Sequence, residues 1–339
     1  SVRATLTGAG YLEVETPILH TVHGGASARP FRTYINAYAT DLSLRIAPEL
    51  YLKRLLVAGS GPIFEIGRNF RNEGADSTHN PEFTSLEAYL PFSDYHGMRT
   101  LASTLVRHAA AAVGVELPDR WPVVPMLDAV SEGVGEPVAI DTDIDRLLTL
   151  AARHAIRVRP DSGAGAIIEQ LYDKLVEPQT ITPTFYVDFP AETSPLTRPH
   201  RTKPGLVERW DLVMNGMELG TAYTELTDPL EQRRRLVAQS AKATAGDPEA
   251  MQVDEDFLGD LELGMPPTGG LGIGIDRLVM VLTGTAIRSV LSFPFVKPGP
   301  ARSGRAVGPV STADDRVAGS GPGTATEAPT EMATSRRSK

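Results

Sequence analysis

A chain of 339 residues with 41% hydrophobic content is long enough to bury a sizeable core in one large domain or two smaller ones. It has no cysteine, which excludes disulfides, thiolate nucleophiles and cysteine-ligated zinc, and its formal charge of −9 argues against a protein that grips nucleic-acid backbone over a wide surface. No apolar run approaches the ~18 residues of a membrane span and no signal peptide opens the chain, so a soluble, cytoplasmic polypeptide is expected.

In chain order, Ser1 to Gly8 is too short for a whole helix, and Val2, Leu6 and the GYLEVETP that follows read as the end of one. His20 and His23 are a close pair with no third ligand nearby, and they read as ordinary loop residues. Phe64 to Phe70 and Glu82 to Leu90 alternate with period two, and Asn72 to Pro81 between them is rich in turn formers, which predicts an antiparallel pair with a long loop. Residues two apart share a face, so Phe83, Ser85, Glu87 and Tyr89 point one way and Thr84, Leu86 and Ala88 the other. A ring, a carboxylate and a phenol in a row suit a ligand with a flat ring and a cation. Arg71, at the end of the partner strand, supplies a fork for phosphate or carboxylate.

Helical spacing recurs over Thr100 to Val113, Asp143 to Ala155 and Gly165 to Val176, which read as packing elements, with His108 a solvated or capped residue. Gly114 to Pro160 reads as a variable insertion linking two halves of a site. In Trp210 to Leu226, Asn215-Gly216 is the preferred dipeptide of a two-residue hairpin turn. Val213 then faces Glu218, and Asp211 lies diagonal to Glu218 on the same face, roughly 7–8 Å away or less. Two converging carboxylates are unfavourable without a cation, and Mg²⁺ bridging phosphates is the natural occupant; two solvated carboxylates are the alternative. Asp228-Pro229-Leu230-Glu231 reads as an N-cap, a first-turn proline and a capping-box acid, and Arg233 to Arg235 as a solvated helix face. GGLGIGIDRLVM at Gly269 to Met280 lacks the Lys-Ser/Thr ending of a P-loop and the spacing of a dinucleotide fold. It reads as a glycine-bearing strand under a helix, with Arg277 at the junction. Gly299 to Lys339 has no Phe, Trp, Tyr, Leu or Ile and is expected to be disordered, with no part in catalysis.

Three of these strings occur in a telling order: GYLEVETPIL, then FEIGRNFRNEGADSTHNPEFTSLEAY at Phe64 to Tyr89, then the glycine string. Together they resemble the three motifs of class II aminoacyl-tRNA synthetases, and FRNEG and HNPEFT resemble the lysyl branch. The resemblance covers roughly Leu6 to Pro298. It implies an α+β fold, a mixed and mainly antiparallel sheet flanked by helices, over residues 1–298. The anticodon-binding barrel and most of a helix that would precede this point in lysyl-tRNA synthetases are missing. The implied activity is an ATP-dependent, AMP-forming lysine-tRNA ligase that makes lysyl-adenylate and passes lysine to the acceptor end of tRNA(Lys).

By the same resemblance Arg71 contacts the α-phosphate and the substrate carboxylate. Phe83 stacks on adenine with Arg277 over its other face or on the γ-phosphate, and Glu73 and His79 address the adenine edge and the phosphates. Asp211 and Glu218 hold Mg²⁺. Glu87 and Glu225, beside Tyr89, take the ε-ammonium of L-lysine, and Glu49 with the Gly25 backbone takes the α-amino group. Aspartyl and asparaginyl enzymes rank below, because they need a basic or amide-reading pocket. A homodimer is expected, since the segment around Pro17 is an interface in the family.

Two departures stand out: Asp211 replaces the usual Glu, and Thr221-Ala222 replaces the usual Asn-Gly, so the amide's paired donor and acceptor are lost. With ETSPLTRPHRTKPGLVERWDL, these resemble the synthetase portion of actinobacterial bifunctional proteins. Those join a membrane lysyltransferase, which lysylates phosphatidylglycerol, to a lysyl-tRNA synthetase. Two other readings stay open: a paralogue that lysylates a protein acceptor, and a truncated, inactive dimerisation module.

Overall fold

The computed structural model describes residues 1–296 other than 245 and 248, so the expectation of a disordered tail from Gly299 lies outside the described residues. Helix α1 (Val2–Gly8) and strand β1 (Leu12–Glu13) lead into a small antiparallel sheet of β2 (Leu19–His20), β3 (Arg32–Ile35) and β4 (Thr40–Leu44). Next come α2 (Glu49–Val57), β5 (Ile63–Phe70), β6 (Glu82–Pro91) and α3 (Tyr95–Ala112). The middle of the chain holds β7 (Val123–Pro125), α4 (Met126–Val134), α5 (Ile144–Arg153) and α6 (Ala164–Leu175). β8 (Thr184–Pro190), β9 (Leu206–Met214) and β10 (Met217–Thr224) precede α7 (Pro229–Thr244) and α8 (Glu255–Glu262). β11 (Thr268–Gly274), α9 (Ile275–Thr283) and α10 (Ile287–Val290) complete the described fold.

The main sheet has eight strands in the order β1-β5-β6-β11-β10-β9-β8-β7. Only its two outermost pairs are parallel, and the rest are antiparallel, as in the α+β arrangement expected. The alternation in β6 decides what each face of the sheet does. Leu86 and Ala88 pack with Leu271 and Ile273 of β11 against Met98, Ala102 and Leu105 of α3, each leucine, isoleucine or methionine contributing about 1.5–3 kcal/mol on burial. Ser85, Glu87 and Tyr89 are left to the other face, where the site lies. Asp94 starts α3 as an N-cap, its carboxylate accepting from the N–H groups of His96 and Gly97.

Residues 114–160, read as a variable insertion, hold β7, α4 and α5. β7 joins the sheet edge beside β8, and α4, α5 and α6 enclose a second core around Leu147, Ile168, Tyr172 and Phe189. Asp228 caps α7 as expected, accepting from the N–H groups of Leu230 and Glu231. Arg233 and Arg234 lie on the solvated face, but Arg235 is 8% exposed and donates to the carbonyls of Ser194 and Thr197. That corrects the reading of a wholly solvated arginine run. No helix among the described residues is long and apolar enough to cross a membrane.

Candidate active site

The polar face of β6, β10 and β11, with α2, the β5–β6 loop and α9 around it, encloses a cavity of about 610 Å³. Gly25, Glu49, Arg71, Glu73, His79, Phe83, Glu87, Tyr89, Glu218, Thr221, Glu225 and Arg277 all line it, and among the residues singled out from the sequence Asp211 alone lies behind the lining. Main chain forms part of the floor. A side chain at Gly270 of β11 would run into Glu225 and Tyr89, so the glycine string makes room for a carboxylate.

One end is built for an anion beside a flat ring. The Arg71 guanidinium sits 5.1 Å from the Phe83 ring centroid, and its Nε is buried without a protein partner. Burial pushes Arg71 down from its ordinary value, and nearby Glu73 and Glu218 pull it back. It remains a cation at any ordinary pH, and a buried cation with an unused donor calls for an anionic acceptor. Arg277 donates from Nη1 to the Glu218 carbonyl at 2.7 Å and from Nη2 to His79 Nε2 at 3.1 Å. The other ring nitrogen of His79, Nδ1, lies 3.0 Å from Asp76. The Thr84 N–H donates to Asp276 at 2.7 Å and pins the start of α9 to β6.

The hairpin carrying the acidic pair forms as expected, with Val213 opposite Glu218. A bulge between Glu218 and Gly220 then shifts the register, so Asp211 stands opposite Thr221, which donates its hydroxyl to the Trp210 carbonyl at 3.1 Å. The regular ladder assumed from the sequence is corrected there; a bulge re-aims side chains in this way. Asp211 is 2% exposed and gripped by Arg209, with Oδ2 at 2.7 Å from Nη2 and Oδ1 at 3.0 Å from Nε. Arg209 also meets Glu169 at 2.8 Å. Glu218 is held through its backbone, its N–H donating to Glu177 at 2.8 Å, which leaves its carboxylate to the cavity. Negative charge is in excess here. Burial, then Glu169 and Glu177, push Asp173 up to about 7. Among the described residues no three side chains are grouped to hold a metal. The donor set fits a hard ion such as Mg²⁺ that takes one or two carboxylates and completes its shell with phosphate oxygens and water.

The other end is a nest of carboxylates. Glu49, in the first turn of α2, and Glu225, just after β10, are buried, and Glu87 on β6 is half-buried beside them, all around Tyr89, whose hydroxyl donates to Glu87 Oε2 at 3.0 Å. Burial, then Glu49, push Glu87 up to about 8; burial likewise pushes Glu225 up to about 8, with Lys53 opposing. Glu65 stands directly opposite Glu87 across the strands, a like-charge pairing offset by Arg45, whose Nη1 reaches Glu65 at 2.5 Å. Gly25, at φ +88°, has its Cα against the side chains of Ala47 and Glu49, where any Cβ would be tight. Oε1 of Glu225 is buried with no donor.

The sequence reading missed two cations. Lys53, one turn after Glu49, is 0% exposed and pairs with Glu49 at 2.7 Å and Glu225 at 2.5 Å; its i,i+4 spacing from Glu49 was the available signal. Arg209 is two residues before Asp211 on the same strand face, and it went unremarked. His20 and His23 are buried, bonded to the carbonyls of Pro17 and Ala250, rather than ordinary loop residues.

A family model described as tRNA synthetases class II (D, K and N) matches residues 1–297. Among curated proteins, the chain is 56% identical over 314 residues to a lysylphosphatidylglycerol biosynthesis bifunctional protein LysX of Gordonia bronchialis, 55% to that of Mycobacterium marinum and 54% to that of Nocardia farcinica. Each alignment covers 88% of this chain and 28% of the relative, so the chain spans little more than a quarter of the length of these relatives.

Proposed function

The chain belongs to the class II tRNA synthetases (D, K and N), and from that premise we propose that it activates lysine with ATP and passes it to tRNA(Lys). The observation that carries this reading is the nest of Glu49, Glu87 and Glu225, which has one internal cation, Lys53, and a buried Glu225 oxygen lacking a donor. A ligand with two ammonium groups supplies what the nest lacks. A neutral isostere would leave the carboxylates desolvated and unpaired, at a cost of about 2–5 kcal/mol.

The amino-acid carboxylate is the nucleophile. It is ionised at neutral pH, with a pKa of about 3.3–3.7, so no general base is required. Its oxygen attacks the α-phosphorus, the bond to the oxygen bridging the β-phosphate breaks, and pyrophosphate leaves. The chain's share is alignment and charge stabilisation. Arg71 spans the carboxylate and the α-phosphate, Phe83 and Arg277 clasp the adenine, and Glu73 and His79 line the phosphate side. Glu218, whose carboxylate faces the cavity, would hold Mg²⁺, which would neutralise phosphate charge; Asp211, expected from the sequence as the second ligand, lies behind the lining with both oxygens on Arg209. A terminal tRNA hydroxyl then attacks the acyl carbon and AMP leaves. The name of the relatives, lysylphosphatidylglycerol biosynthesis bifunctional protein, supports a further step in the reading, in which lysyl-tRNA made here feeds phosphatidylglycerol lysylation in a longer parent protein.

The test is ATP–pyrophosphate exchange by the purified chain with lysine, and with aspartate, asparagine and arginine as controls. Exchange with lysine alone is expected. Exchange with aspartate or asparagine would overturn the lysine assignment, and none at all in a folded, ATP-binding chain would favour the inactive module.

A further inference from the structure

Lys53 has no place in the chemistry just described, yet it is a fully enclosed charge directly behind the pocket wall. Its ammonium is 2.7 Å from Glu49 Oε1, 2.5 Å from Glu225 Oε2 and 3.4 Å from the Leu196 carbonyl. Glu49 and Glu225 line the cavity and Lys53 does not, so the cation stands behind the two carboxylates, where a ligand cannot touch it. Other groups face the cluster from every side: Glu87 and Tyr89 on β6, Glu65 with its partner Arg45, and Tyr223 on β10. Beyond Leu196, Arg235 of α7 is spent on the carbonyls of Ser194 and Thr197.

Arg45 and Glu65 cancel each other. Glu49, Glu87 and Glu225 against Lys53 leave two net negative charges when the carboxylates are ionised. Two ammonium groups match that count, with the ligand's own carboxylate left to Arg71. Without Lys53, Glu49 and Glu225 would be like-charged neighbours in a dry cavity, and such pairs share a proton rather than ionise together.

We infer that Lys53 is a positioning residue for the amino-acid subsite: it fixes Glu49 and Glu225 from behind and supplies the charge that lets both present ionised oxygens to a diamino acid. The inference rests on the lysine reading and adds to it a device for counting ammonium groups. Burial holds Glu49 and Glu225 above the ordinary carboxylate range while Lys53 pulls them back, and their charges in turn keep the buried ammonium protonated.

The experiment compares the wild-type chain with Lys53→Met and Lys53→Gln in ATP–pyrophosphate exchange over about pH 6–8.5, reading KM for lysine, KM for ATP, and discrimination against 6-hydroxynorleucine, which has a hydroxyl in place of the ε-ammonium. In both variants KM for lysine should rise about tenfold or more near neutral pH and still be falling at the top of the range where the wild type has levelled off. Discrimination should fall by a similar factor, with KM for ATP unchanged. A wild-type pH profile and wild-type discrimination in the variants would overturn the inference. Loss of the fold in both variants at saturating lysine, seen by circular dichroism, would overturn it too, since Lys53 would then be a packing residue. A wild-type chain that fails to exchange with lysine sinks the functional reading and this one together; normal wild-type exchange with unshifted variants sinks this one alone.

Discussion

If the pocket takes an amino acid as proposed, Glu87 couples the stability of the empty pocket to its affinity for that ligand. Its carboxyl titrates near about 8 in the fold against 4.5 as a free side chain, chiefly through burial. The folded protein therefore binds a proton that the unfolded chain has released, and the ligand-free protein loses stability as pH rises from about 4.5 through about 8. An ammonium arriving at Glu87 displaces that proton, so lysine should bind up to about tenfold more tightly per pH unit below 8 and level off above it. Thermal shifts with saturating lysine should be larger at pH 8.5 than at 6.5; equal shifts would remove Glu87 from the ammonium site. Arg71→Lys keeps a charge but loses the fork, and the exchange rate should drop about 10²–10³-fold with the fold intact. Arg71, Phe83 and Glu87 were legible because their residue types and strand period declare a site. Lys53 and Arg209 were not, because a lysine or arginine in a bare sequence is taken as solvated, and only tertiary packing turns it into a buried counter-ion.

The β9–β10 hairpin shows where legibility stops at the level of an element. Asn215 at φ +53° and Gly216 at φ +73° are both left-handed, the turn that Asn-Gly encodes, and the pairing of Val213 with Glu218 follows from it. The bulge two residues on does not follow from the turn; it brings Leu219 and Ala222, three residues apart, into the same core, where a regular strand would put them on opposite faces. Gly220 lies hard against the β11 backbone at Gly272, which leaves no space for a regular side chain in that stretch. Gly216→Val should cost about 1–2 kcal/mol, because a branched residue resists a positive φ. A urea midpoint lowered at constant slope would show it. The Pro178 carbonyl, 3.1 Å from where the new Cβ would sit, adds to the cost.

For the whole molecule, exposed apolar side chains gather near the start of the chain: Leu12, Ile18, Leu19, Tyr34 and Tyr38 are all 44% exposed or more. Exposed apolar side chains are what a protein interface needs, and Ile18 and Leu19 directly follow Pro17 in the segment expected to form the dimer. Ile18→Asp should shift the sedimenting species from dimer to monomer at micromolar concentration, and a monomeric wild type would dispose of the dimer expectation. The layered architecture was legible here through three short motifs; of the second core, α5 and α6 were legible from their helical spacing, whereas α4 and the joining of all three into one core were not, because these helices gain a shared interior only from each other. Lys53 and the Leu196 carbonyl it reaches are 143 residues apart in sequence. Contacts that distant form late, after the loop-closure entropy has been overcome. As the chain leaves the ribosome, Glu49 on the same helix is the only early partner Lys53 can have. The β5–β6 hairpin can close on its own, but the amino-acid pocket waits for the second half of the polypeptide. The proposed nucleotide side waits as well, because Phe83 on β6 is made early but Arg277 on α9 is among the last residues of the described fold, so both halves of the proposed site are properties of completed folding.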